Sequence, residues 1–167
     1  MSTIEQRFGV ERTVGGDPLG AWTAGVEAVL EQTPAVRVHG IDLAHASRPR
    51  AIRALAHQRL TMLQLALLRD TAARRVLVVV RLALDCDESR VCRGLGAAVD
   101  SVHSRVERAQ GRPFAIAALA VPRDTSPRRV WQCIVEGAPI VPDGATAVTW
   151  RDADEWGLRA AIQNQSL

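Results

Sequence analysis

The sequence predicts an α/β fold, with strands and helices alternating around a largely parallel or mixed sheet in two or three layers. Three observations predict it. Residues 76–80 form a continuous β-branched and leucine run, the pattern of a strand covered on both faces. Long stretches with apolar residues at helical spacing lie on either side of that run. The order then repeats as strand followed by helix, which favours right-handed βαβ crossovers and a parallel sheet.

Each element has its own signal. Residues 1–16 end in Val14-Gly15-Gly16 and read as a flexible arm, leaving 17–167 as a single domain. Asp17 and Pro18 suit the N-cap and first position of a helix, and Leu19, Trp22, Val26, Val29 and Leu30 continue it to Pro34. Residues 35–43 form a strand. Residues 50–70 form a helix whose stripe of Ile52, Leu55, Ala56, Leu60, Leu63 and Leu67 is widened by Met62, Leu65 and Leu68. Residues 75–85 are the clearest strand. Residues 89–110 form a helix on Val91, Leu95, Val99, Val102 and Val106, closed by Gly111. Residues 114–121 form another buried strand. The segment 126–137 admits two readings: Ser126-Pro127 suits a helix start, whereas Trp131, Cys133 and Val135 would share one face of a strand. A short strand at 145–150 and a helix capped by Asp152, with Glu155 as its capping-box partner, complete the chain.

Composition narrows the function classes. A length of 167 residues suits one domain, and 47% hydrophobic content is ordinary for a globular protein. No apolar run approaches the ~18 residues of a membrane span. The first residues carry Glu5, Arg7, Glu11 and Arg12 and lack the apolar region of a signal peptide. The expectation is a cytoplasmic protein, reaching the inner face of a membrane only through a partner. Cys86, Cys92 and Cys133 are odd in number and lack CxxC spacing, which argues against a disulfide framework or zinc ribbon. All 21 basic residues are arginine, consistent with a GC-rich coding sequence. A net charge of +3 is too small to argue for nucleic acid.

The sharpest local feature is Asp85-Cys86-Asp87, at a predicted strand–helix junction. Ligands of open α/β sheets bind outside the carboxyl ends of strands. Two carboxylates two residues apart can share a magnesium ion, and one can attack a phosphoryl group. An apolar strand followed by D-x-D resembles the first motif of haloacid-dehalogenase-type phosphotransferases, which implies Asp85 as nucleophile and Asp87 as general acid/base. The later motifs of that family would fall to Thr125 or Ser126, to Arg128 or Arg129, and to Asp152 and Asp154. The plainer reading makes Asp87 or Ser89 a helix cap, with Asp85 and Glu88 near the positive helix end. No cofactor is expected, apart from magnesium under the phosphotransferase reading.

His39, Asp42, His45 and His57 form a second group with no spacing that fixes a metal geometry. Gly94-Leu95-Gly96 lies inside a helix, so it is no dinucleotide fingerprint. Arg48, Arg50, Arg53 and Arg59 gather near the second helix, and Arg123, Arg128 and Arg129 in one loop. Arginine suits bidentate phosphate contact, which makes nucleic-acid binding, with Arg123, Arg128 and Arg129 as its nucleic-acid or anion contacts, the second alternative function; no aromatic residues interleave with these clusters, which weighs against it.

The leading helix at 19–32, the strand Val38-His39-Gly40-Ile41-Asp42-Leu43 and the strand at 74–82 follow one another in a familiar order. Residues 17–120 resemble the soluble domain of EccE-type components of actinobacterial type VII secretion systems. The chain departs from that family in lacking the membrane helices that precede the domain. The resemblance implies an assembly or scaffold role and carries no catalytic residue. The leading expectation is therefore a non-catalytic interaction module that binds a protein partner or itself. Trp131, Trp150 and Trp156 gather toward the C-terminal third and mark the expected contact surface, since tryptophan is enriched at interface hot spots.

Overall fold

The computed structural model of the protein describes residues 13–165. Five parallel strands form one sheet in the order β1-β2-β3-β4-β5. They are β1 (Val14–Gly16), β2 (Val36–Leu43), β3 (Arg75–Leu82), β4 (Ala115–Pro122) and β5 (Gly144–Thr149). The helices are α1 (Val26–Leu30), α2 (Pro49–Arg69), α3 (Glu88–Gln110), α4 (Pro127–Gly137), α5 (Trp150–Trp156) and α6 (Leu158–Gln165). The α/β class and the parallel sheet agree with the sequence expectation.

Alternation along the strands divides the core in two. Val36 and Val38 of β2, Leu77 and Val79 of β3, and Ala117 and Leu119 of β4 face α1, α4, α5 and α6. Ile41 and Leu43, Val76 to Val80 at even positions, and Ile116 and Ala118 face α2 and α3. The molecule is thus a three-layer sandwich. The central strands are apolar on both sides, so they read as continuous runs.

The sheet adds every new strand on the same side of the last. Connections over opposite faces then have opposite hands. The connections through α2 and α3 cross one face, and those through α1 and α4 cross the other. Two of the four therefore depart from the right-handed rule expected from the sequence. Helix α4 packs against α1 and the turn before it, while α5 and α6 occupy the space over β4 and β5.

Several local expectations are corrected. Val14–Gly16, placed at the end of the arm, is the edge strand β1 and pairs with Val38 to Gly40 of β2; the remainder of that arm, 1–12, lies outside the described residues. A continuous helix over 18–32 does not form. Gly20 and Gly25 have φ of 60° and 74°, so the segment breaks into a single 3-10 turn, Gly20–Trp22, and the short α1. Asp17 does not cap a helix: its carboxylate accepts the Asp42 backbone N–H at 2.9 Å and pairs with Arg59 Nε at 3.1 Å. At the other end, Thr149 rather than Asp152 caps the last helical segment, its hydroxyl accepting the Asp152 N–H at 3.2 Å. That segment divides at Gly157, whose φ is 80°. The ambiguous stretch at 126–137 is helix α4, with Val130 and Ile134 buried.

Two ion pairs tie distant segments. Arg37, on β2, is buried, and its Nε donates to Asp70 Oδ2 at 2.7 Å. Asp70 also accepts the Ala72 and Ala73 N–H groups, so the carboxylate closes the turn between α2 and β3. Asp42, on β2, accepts two hydrogen bonds from Arg81 of β3, and the Arg81 guanidinium lies 5.6 Å from the Trp22 ring centroid.

Candidate functional site

Between β3 and β4 the neighbouring connections depart to opposite faces, α3 over one and α4 over the other. In open α/β sheets a divergence of this kind is where ligands bind, at the carboxyl ends of the strands. The loops at 83–87 and 123–126 start there side by side, joined by the Arg123 N–H donating to Leu82 O at 2.9 Å. Asp85, Cys86 and Asp87 all lie in the first of them. They also line one wall of a cavity of about 360 Å3 between α2 and α3.

The cavity floor comes from the two helices. Ile52 and Ala56 of α2 face Val91, Leu95 and Ala98 of α3. Ile52, Ala56, Val91 and Leu95 belong to the apolar stripes read in the sequence. The rim is polar: Arg53 and His57 from α2, Asp85 and Asp87 from the loop, Arg90 from α3. A shallower hollow shares Pro49, Arg53 and Arg90 with this groove and adds Arg48 and Arg50. None of these four arginines forms an ion pair among the described residues.

The two carboxylates of the D-x-D motif differ in role. Asp87 is the N-cap of α3, its Oδ1 accepting the Arg90 N–H at 3.1 Å. Asp85 is exposed. Glu88 does a third job: its Oε1 accepts the N–H groups of Trp150 and Arg151, fastening the start of α3 to the start of α5. Burial pushes the Glu88 carboxyl above its ordinary value, against the pull of those two bonds. Cys86 is raised first by burial and then by Asp85, Asp87 and Glu88 around it, the opposite of what activates a thiol. Cys92 and Cys133 are pushed up to about 11, chiefly by burial.

The other residues drawn from the phosphotransferase pattern are dispersed in their roles. Arg129 forms an ion pair with Asp154, which takes both away from a phosphate. Ser126 precedes α4 and makes no side-chain cap bond, and Thr125 is half-buried in the same loop. Asp152 lies in α5, where its carboxylate accepts from Gln165 at 3.4 Å. Arg123 and Arg128 are exposed. Among the described residues, no group of three or more His, Cys, Asp and Glu side chains is placed to share a metal ion.

The histidines separate as well. His39 faces α2 and is largely buried, which lowers its pKa from 6.5 to about 4 despite the opposing field of Asp17. Asp42 points to the other face, where Arg81 holds it below the ordinary carboxylate value. His45 and His57 are exposed on a turn and on α2.

The three tryptophans do not form one exposed patch. Trp150 is buried in the core and Trp131 is half-buried, its indole N–H donating to Ala24 O at 2.8 Å. Trp156 is 49% exposed and lines, with Ile140 and Trp150, a cavity of about 520 Å3 beside α4.

Another exposed apolar group lies on α2. Met62, Leu65 and Leu68 of α2 are 55%, 53% and 38% exposed. The sequence counts them as a widening of the apolar stripe of α2, and the structure leaves them in solvent. The signal was present in the spacing: Leu60, Leu63 and Leu67 already complete the buried stripe.

No protein-family model, curated protein or solved structure matches the chain. No helix among the described residues is long and apolar enough to cross a membrane.

Proposed function

We propose that this chain is a non-catalytic interaction module that docks a partner protein through the solvent face of α2. One observation carries the reading. Of the seven large apolar side chains exposed among the described residues, three share α2 at spacings of three. Such contiguous exposure marks contact surfaces.

Charge chooses the kind of partner. The 21 residues of α2 include Arg50, Arg53, Arg59 and Arg69 and no carboxylate. Arg50 and Arg53 line the groove and hollow toward α3 and Arg59 pairs with Asp17, so beside the exposed apolar residues α2 offers Arg59 and Arg69 and no carboxylate, and two copies laid together gain no ion pair from this helix. An acidic partner face with apolar anchors complements it. The contact surface thereby moves from the tryptophans of the C-terminal third to α2. An assembly role of the EccE type falls within the same reading; its support is the succession of β2, α2, β3, α3 and β4, without the leading helix at 19–32.

A phosphotransferase reading is supported by the position of Asp85 at the carboxyl end of β3 beside a cavity. It is weakened by Asp87, whose carboxylate serves as a cap.

The test is Leu65→Asp, a change on an exposed position that leaves the core untouched. Wild type and variant are expected to be monomeric by analytical ultracentrifugation and to melt within a few degrees of each other. A protein retained from source-cell extract by wild type is expected to be lost from the variant. A wild-type dimer abolished by Leu65→Asp, or an identical set of retained proteins, would overturn the reading.

A further inference from the structure

We propose that the groove between α2 and α3, together with the arginine hollow beside it, binds a free organic anion with an apolar body. The class is a medium-chain or aromatic carboxylate, sulfonate or phosphate. This goes beyond docking through α2, because the groove lies on the side of α2 turned toward α3.

The size and lining fit a small molecule. Sites of this kind are mostly apolar, with a few convergent polar groups, and span roughly 300–1,000 Å3. Here a floor of Ile52, Ala56, Val91, Leu95 and Ala98 underlies about 360 Å3. Arg53 and Arg90 stand in the walls of both the groove and the hollow, so an apolar body in one places its head group in the other. Arg48 and Arg50 complete the hollow. Four guanidinium groups without a carboxylate partner among the described residues repel one another, and an anion relieves that repulsion. Asp85 and Asp87 line the groove but not the hollow, whose lining is four arginines and Pro49, so an anionic head is favoured in the hollow.

Gly94 supplies an independent observation. It lies within α3, where glycine weakens a helix, and it lines the groove. A Cβ built there meets nothing within 4 Å, so no close packing calls for glycine. Its effect is to leave the groove open.

That property also provides the test. Leucine at 94 enters open space and strengthens the helix, so Gly94→Leu fills the groove while the fold is kept. The probe is anilinonaphthalene sulfonate, an aromatic body with one anionic head, followed by fluorescence. Wild type is expected to enhance its emission in a saturable manner. Gly94→Leu is expected to abolish the enhancement, and Arg53→Ala combined with Arg90→Ala to weaken it by roughly tenfold or more. Leu65→Asp is expected to leave it unchanged, which keeps this result separate from docking on the other side of α2. Octanoate is expected to displace the probe, and octylamine and phosphatidylglycerol vesicles are not. No saturable enhancement, equal enhancement by Gly94→Leu, or displacement by octylamine would overturn the site. Displacement by the vesicles would overturn the assignment to a free molecule and make the ligand a lipid head group.

Discussion

His39 illustrates how a single residue couples burial to stability. The unfolded chain takes up its proton near pH 6.5, and the folded chain only near 4, because burial disfavours the charged ring. The unfolded state therefore binds more protons between those values. Stability from this site is complete above pH 6.5 and is lost as the pH falls to 4. The loss amounts to about 3 kcal/mol at ~1.4 kcal/mol per pH unit. His39→Gln is expected to flatten the fall in melting temperature over that window, measured by calorimetry at a series of pH values. Asp42 carries the same sign, its contribution disappearing only below its ordinary value of 3.8. At this scale the sequence was least legible. Arg37 and Asp70 are 33 residues apart, and Asp42 and Arg81 are 39 apart. Nothing local announces such pairs. Trp150 likewise reads as a surface anchor by residue type, and only the packing of α5 on the sheet shows it buried.

Elements with strong periodicity were legible almost to their ends. Helix α3 was read from 89 to 110 and runs Glu88–Gln110, because its stripe, its N-cap and Gly111 all agree. The first helix is interrupted because Gly20 and Gly25 adopt left-handed backbone, which apolar spacing does not signal. The D-x-D motif was read both ways, and the structure places its second carboxylate at the helix cap. Loss of that cap sets a clear expectation. Asp87→Ala should lower stability by about 1 kcal/mol in a denaturant titration. Asp85→Asn should leave it within about 0.5 kcal/mol, as for an exposed side chain without such a feature. Magnesium should leave the melting temperature of wild type unchanged. A rise with magnesium that Asp85→Asn abolishes would restore the phosphotransferase reading.

Across the whole molecule, alternation of strand and helix made the α/β class legible with two or three layers, and the apolar centres of β3 and β4 fit the cover that the structure shows on both faces. The distribution of helices between the two faces was not, because the hand of a connection leaves no mark on periodicity. That distribution sends the connections after β3 and β4 to opposite faces. The face of α2 left uncovered is equally a property of the assembled layers: one helix stripe meets the sheet and α3, and the other meets solvent. The most direct test of docking through that face is site-specific photo-crosslinking in the source cell. A photoreactive phenylalanine replaces Met62 in one variant and Gln163, exposed on α6, in another. A discrete cross-linked species containing one other protein, formed from position 62 and absent from 163, is the predicted result. No cross-link at 62, or a cross-link to a second copy of this chain, would contradict it.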